Sequence, residues 1–388
     1  MRIDRSVIKK NRYPIDKIKN LLRDAGAIKG DLITISIMVV NDSHIASIFA
    51  CAEMGLKIII LDSPATLESL PYTKLALHGP SQFYIYDSTE DTDHIYNGLH
   101  DEMMKRYGGI PIDVREDASE DYFHVNVSPD DPFLMSSTSG TTKPSRPVLF
   151  SHKEVYHISK RNIDIFGFDK DSVVCHSRNL HHASALLTSL LPSLMASDNH
   201  YHIPIGHDLS GDDRLLLMGY HGIRKWNTTH VMIPNKATLI DFLETVIKPF
   251  NTTLNINMSG FTLDQSFVEL AEKYNVRFQS HYGSIDTAIP LLINFVDKDS
   301  VVKENCLGVL PDDFYRFDGK EVMCDLWDEP RYMEDTLSYT DGKFFIEPRE
   351  LPEIPEGIDL EPFFQDTKLN YEQLRGYLKK VKKSKKSA

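Results

Sequence analysis

Residues 32–40 and 57–61 are almost continuously apolar and rich in β-branched side chains. A strand with one wet face alternates polar and apolar residues. An unbroken apolar run needs cover on both faces, as in a parallel sheet flanked by helices. Between the runs, Asn41, Asp42 and Ser43 offer a helix cap, residues 45–54 have helical character, and Gly55 supplies a stop. The segment therefore reads as strand–helix–strand, with the strands expected parallel and the crossover right-handed.

The alternation recurs. Residues 14–25 place Ile15, Ile18, Leu21 and Leu22 on one helical face. Residues 177–197, 236–246 and 263–274 read as helices, and residues 229–233, 254–258 and 276–280 as strands. The expected class is α/β, with two βαβ-type subdomains and parallel or mixed sheets. After residue 300 the pattern changes. Short β-like runs at 320–324 and 343–346 accompany Asp318-Gly319 and Asp341-Gly342, both hairpin signals. Residues 347–366 are acidic and Pro-rich, 371–380 suggest a closing helix, and a lysine-rich tail runs from Lys379 to Lys386. The expected division is an α/β core over 1–300, a β-rich subdomain over 301–350, and a segment of acid, short helix and lysines over 351–388.

The chain of 388 residues carries 43 Lys and Arg against 56 Asp and Glu, a net charge of −13. That acidity argues against a nucleic-acid partner and requires any phosphate site to be locally electropositive. Cys51, Cys175, Cys306 and Cys324 stand singly, without metal-ligand spacing or a disulfide framework. No run approaches 18 apolar residues and the N-terminal stretch lacks a signal-peptide core, so a cytoplasmic, non-membrane protein is expected. The oligomeric state is left open.

The segment Met135-Ser-Ser-Thr-Ser-Gly-Thr-Thr-Lys-Pro-Ser-Arg-Pro-Val148 carries the chemistry. A strand is expected to enter it and another to leave it, before Ser151-His-Lys-Glu154 opens a helix with a capping box. Thr138, Ser139, Thr141 and Thr142 supply hydroxyls, Gly140 allows close backbone approach, and Lys143 and Arg146 supply charge. The composition suits a phosphate cradle, and equally a polar surface turn. It is not a Walker loop.

Ser137-Thr-Ser-Gly-Thr-Thr142, followed by Pro-Val-Leu-Phe-Ser-His152, resembles the signature loop of the adenylate-forming superfamily. That superfamily comprises acyl-CoA synthetases, peptide-synthetase adenylation domains and luciferases. Lys143 stands in place of the usual second glycine, and Arg146-Pro147 in place of Lys-Gly. Further segments resemble the family in the same order. They begin with residues 30–62, its first βαβ region, and Asn179-Leu-His-His-Ala-Ser-Ala-Leu186, with His182 at a substrate-pocket position. Met258-Ser-Gly-Phe-Thr262, with Gly260 and Phe261, resembles a turn flanking adenine. His281-Tyr-Gly-Ser-Ile-Asp286 resembles Y-G-x-T-E. The match implies nucleotide contacts from His281, Tyr282, Gly283 and Ser284, and a magnesium site at Asp286. Ile285 replaces a phosphate-contacting threonine. Asp335 matches a ribose-binding aspartate and Arg349 a residue near the hinge and the phosphate.

The resemblance implies ATP-dependent, AMP-forming activation of a small carboxylate, with ATP and Mg²⁺ as cofactors and Arg146, Asp286 and Arg349 as catalytic residues. CoA or a carrier-protein phosphopantetheine is the implied acyl acceptor. The family's mobile C-terminal domain and its lysine motif have no match after Arg349, so that domain is expected to be absent or vestigial. The lysine tail reads as a solvated segment or a substitute cation. The alternative is a non-catalytic or partner-dependent nucleotide- or acyl-adenylate-binding protein.

Overall fold

The computed structural model describes residues 13–37, 41–61, 82–87, 109–119, 123–137, 147–176, 180, 183–197, 199–202, 221–233, 236–285, 287, 290–332 and 335–347. Two six-stranded sheets carry the architecture.

The first sheet has the order β4-β3-β1-β2-β5-β6. Its strands are β1 (Leu32–Ser36), β2 (Lys57–Leu61), β3 (Phe83–Tyr86), β4 (Ile110–Asp113), β5 (Pro132–Ser137) and β6 (Pro147–Ser151). β1 and β2 pair in parallel, from Leu32 against Lys57 to Ser36 against Leu61. Helix α1 (Ile15–Asp24) buries Ile15, Ile18, Leu21 and Leu22, the stripe read from its spacing. Helix α2 (Asp42–Met54) starts where Asn41 accepts from the Ser43 and His44 amides, and stops at left-handed Gly55. The strand expected over 32–40 ends at Ser36, and residues 38–40 lie outside the described residues. β3 and β4 carry little sequence signal: both are four residues long and hold tyrosine, proline or aspartate.

The second sheet has the order β12-β11-β10-β9-β7-β8. Its strands are β7 (Val173–His176), β8 (Asn199–His202), β9 (His230–Met232), β10 (Leu254–Ser259), β11 (Val276–Tyr282) and β12 (Leu292–Val296). All its pairings are parallel except β11 with β12.

A helical layer lies between the sheets. Helix α3 (His152–Phe166) packs Val155 and Ile158 into the core of the first sheet, and Phe166 against Val174 and Ile293 of the second. Beside it, α4 (Ala183–Ala185) runs through a π-helical turn, Leu186–Leu190, into α5 (Leu191–Ala196). The turn lies where the buried His176 ring holds two serines: its Nδ1 meets Ser189 Oγ at 2.7 Å and its Nε2 meets Ser193 Oγ at 3.1 Å. Helices α6 (Lys236–Glu244) and α7 (Ser266–Tyr274) complete the second lobe. The sequence suggested that α7 begins at residue 263. It begins three residues later because the Asp264 carboxylate accepts from the Ser266 amide at 3.0 Å, a local turn that competes with the helix.

Two three-stranded sheets follow. One joins β13 (Cys306–Gly308), β18 (Lys343–Ile346) and β17 (Leu337–Thr340); the other joins β14 (Arg316–Phe317), β15 (Glu321–Met323) and β16 (Arg331–Tyr332). Asp341 and Gly342, both at positive φ, form the β17–β18 hairpin turn. These sheets share a small core of Leu307, Tyr315, Val322, Trp327 and Phe344 with Leu291 and Leu292. Among the described residues, no helix is long and apolar enough to cross a membrane.

Candidate nucleotide site

In sheets of this kind, ligands bind beyond the carboxyl ends of the strands. β10 and β11 end side by side, with Ser259 paired to His281. β11 is longer than its apolar run suggested and carries Tyr282 to the rim. There the Tyr282 hydroxyl donates to Asp335 Oδ2 at 2.7 Å. Asp335 lies 53 positions along the chain, just before β17. The expected adenine-side tyrosine and ribose-side aspartate thus meet, although they reach the rim from separate sheets.

Gly260 follows β10 at φ +89°, and no atom lies within 4 Å of the position a Cβ would take. The turn needs the glycine for its backbone conformation, and the face above it is open. Phe261 packs its ring on Phe267 at 6.0 Å, and its carbonyl accepts from Ser280 Oγ at 3.1 Å. Beyond Gly283, the Ser284 amide donates to Thr287 Oγ1 at 3.0 Å, and the Thr287 hydroxyl donates back to the Ser284 carbonyl at 3.0 Å. The Leu291 amide donates to the Tyr282 carbonyl at 2.8 Å and closes the loop's base.

His281, expected among the nucleotide contacts, is only 2% exposed. Its Nδ1 donates to Asn257 Oδ1 at 2.9 Å, on the face turned toward Phe166. Strand alternation accounts for this: Tyr282 reaches the rim, so its neighbour points into the helical layer. His281 therefore supports the strand end from beneath. Ile285 packs against the core of the first lobe. An apolar residue at that position ties the loop to the neighbouring lobe.

Thr138, Ser139, Gly140, Thr141, Thr142, Lys143, Arg146, His182, Asp286 and Arg349 lie outside the described residues. The frame of the Ser/Thr/Gly loop is described. β5 and β6 are antiparallel, with Ser137 opposite Pro147, so both ends of the loop leave from neighbouring positions. At the other end of β6 stands the expected capping box. The Glu154 amide donates to Ser151 Oγ at 3.2 Å, and the Ser151 amide donates to Glu154 Oε2 at 2.8 Å. His152 is fully buried and stacks on Phe133 at 4.7 Å; burial pulls its pKa down to about 4. His230 is likewise held to about 4 by burial, and its Nε2 donates to the Phe166 carbonyl at 3.0 Å, capping the end of α3.

Sequence reasoning did not anticipate a second set of contacts beneath the Tyr282 loop. Arg161, 7% exposed on α3, donates from Nη1 to the Pro290 carbonyl at 2.6 Å and from Nε to Asp312 Oδ2 at 2.8 Å. Its guanidinium lies 4.6 Å from the Tyr315 ring centre, and the Tyr315 hydroxyl donates to the Thr287 carbonyl. Glu154, two turns earlier on α3, accepts from Trp327 Nε1 at 3.2 Å and Arg331 Nη2 at 3.0 Å. These partners lie 129 to 177 positions from α3, so no local pattern announces them.

No family model matches the chain, and no curated protein matches it by sequence. Solved structures do. O-succinylbenzoate coenzyme A synthetase from Bacillus subtilis, in complex with ATP and magnesium ion, matches at a TM-score of 0.68 and 16% identity, over 88% of this chain and 74% of that one. The inhibitor-bound N-terminal domain of FACL13 from Mycobacterium tuberculosis matches at 0.69 and 15% identity, over 86% and 90%. McyG A-PCP complexed with phenylalanyl-adenylate matches at 0.64 and 18% identity, over 87% of this chain and 60% of that one. The chain has the fold of the adenylate-forming superfamily, as its motifs implied. At these identities the likeness is one of fold.

Proposed function

We propose that the protein activates a small carboxylic acid with ATP, forming an acyl-adenylate and pyrophosphate. The observation that carries this reading is the Tyr282–Asp335 hydrogen bond at the carboxyl end of β11, within this fold. It gathers an aromatic face and a carboxylate able to accept from ribose hydroxyls at one point on the rim.

In the proposed reaction a carboxylate oxygen attacks the α-phosphorus of ATP. A P–O bond forms, the bond to the bridging oxygen breaks, and pyrophosphate leaves with that electron pair. Such chemistry asks the protein for position and for charge neutralisation. The Thr138–Thr142 hydroxyls and amides would hold the leaving pyrophosphate, with Lys143 and Arg146 meeting its charge. Gly260, Phe261, Tyr282, Gly283 and Ser284 would receive the base, and Asp335 the sugar. Arg349 would face the phosphate and His182 the acyl group.

The Tyr282 loop offers only hard donors. The Ser284 and Thr287 hydroxyls flank Asp286 in sequence, and no sulfur or imidazole donor stands among these three. That donor set suits Mg²⁺, which would be held by Asp286. Bound there, Mg²⁺ supplies charge neutralisation at the phosphate oxygens. The acyl acceptor is proposed to be a thiol, of CoA or of a carrier-protein phosphopantetheine.

One observation favours a second reading. Ile285 gives its side chain to the first-lobe core, so this position offers no hydroxyl to phosphate. A protein that binds acyl-adenylate without making it would tolerate that loss. A screen of ATP–pyrophosphate exchange over a panel of carboxylates separates the two. Carboxylate-dependent exchange supports the enzyme; tight AMP binding without exchange on any acid supports the binding protein.

A further inference from the structure

We propose that Arg161 is a positioning residue for the adenylation reaction, acting with Tyr315 to fix the backbone of the loop that carries Ser284 and Asp286. The proposal rests on the functional reading above.

β11 ends at Tyr282 and β12 begins at Leu292, and the described residues between them, 283–285, 287, 290 and 291, belong to neither a helix nor a strand. The loop is held by its carbonyls. Arg161 Nη1 takes the Pro290 carbonyl and the Tyr315 hydroxyl takes the Thr287 carbonyl. The two side chains are themselves stacked, and Asp312 fixes the guanidinium from the far side with both carboxylate oxygens within 3.1 Å of Nε. Arginine suits this role because its planar fork reaches a carbonyl and a carboxylate at once while its face covers a ring. Burial of the pair keeps water from competing.

The position of Arg161 in the chain gives this cluster its reach. α3 begins directly after β6, the strand leaving the Ser/Thr/Gly loop. Glu154 and Arg161 are seven residues apart, so they share one face of the helix. Glu154 ties the start of α3 to Trp327 and Arg331, and Arg161 ties its middle to Asp312, Tyr315 and Pro290. β6 runs from the proposed pyrophosphate loop to the start of α3, so strand and helix together connect that loop to the base of the proposed metal loop. A shift of either loop by an ångström is enough to spoil in-line geometry.

The test uses the full chain and three variants, Arg161→Lys, Arg161→Met and Tyr315→Phe, with folding checked by circular dichroism. ATP–pyrophosphate exchange is measured against Mg²⁺ concentration, and AMP affinity is measured without Mg²⁺. We expect Arg161→Met and Tyr315→Phe to raise the Mg²⁺ needed for half-maximal exchange by roughly tenfold to a hundredfold, as loss of a residue supporting a metal ligand commonly does. AMP affinity should fall by a smaller factor than the Mg²⁺ requirement rises, since Gly260, Phe261 and Tyr282 lie outside this loop, and Arg161→Lys should fall between wild type and Arg161→Met, since lysine restores one donor. Folded variants whose Mg²⁺ dependence matches wild type, with melting alone affected, would overturn the proposal and leave the functional reading standing. A wild-type chain that neither exchanges pyrophosphate nor binds AMP would overturn both.

Discussion

Tyr282, the last residue of β11, and Asp335, the residue two before β17, are joined by a 2.7 Å hydrogen bond from the phenol to the carboxylate. A phenol on a carboxylate is a charge-assisted bond, worth about 1.5–3 kcal/mol when one partner is removed. It joins the second lobe to the β-rich part of the molecule.

Tyr282→Phe keeps the ring and removes the bond. AMP affinity should fall by about tenfold, from loss of the fixed Asp335 carboxylate. Asp335→Asn should fall by a similar amount, and the double variant should lose less than the two combined, because they share one interaction. Calorimetric titration with AMP checks this. Strictly additive losses would mean that the two residues act separately.

Much of the frame was legible in the sequence. The run at 57–61, the Asn41 cap, the Gly55 stop and the Ser151–Glu154 capping box are local features, written in neighbouring residues, and each appears in the structure where its chemistry requires. Asp341-Gly342 likewise makes its hairpin. Long-range consequences were not legible. His281 looks like a site residue in a linear motif, and only the parity of β11 shows that it points inward. β3 and β4 are edge-side strands too short to show a period. The π-helical turn meets His176 of a separate strand, and Arg161 meets Pro290 and Asp312. Tertiary partners define all of these.

Glu154 serves the cap of α3 and receives Trp327 and Arg331. Glu154→Ala removes the cap's return bond and the carboxylate oxygen that accepts from Trp327 Nε1 and Arg331 Nη2. The expected cost is about 2–3 kcal/mol, and Glu154→Gln should lose about half as much. Urea denaturation measures both. Equal stability of Glu154→Ala and wild type would contradict the anchoring role.

Burial holds His152 and His230 near pKa 4 in the folded state, against 6.5 for the unperturbed ring. Between these values the unfolded chain binds more protons than the folded one. Stability is therefore full above about pH 6.5 and is lost as pH falls toward 4, by up to about 1.4 kcal/mol per pH unit for each ring. Thermal melts across that window should show the decline, and His230→Asn should make it shallower. A melting temperature constant from pH 6.5 to 4.5 would contradict the burial of both rings in neutral form.

The proposed reaction joins AMP to a carboxylate. A single-turnover reaction with ATP labelled at the α-phosphate, the 388-residue chain in excess, Mg²⁺ and a carboxylate panel tests it. We expect label in a mixed anhydride with at least one acid, one pyrophosphate released per adenylate, and loss of both products in Asp286→Ala. Label remaining in ATP with every acid, while the protein binds ATP, would contradict it.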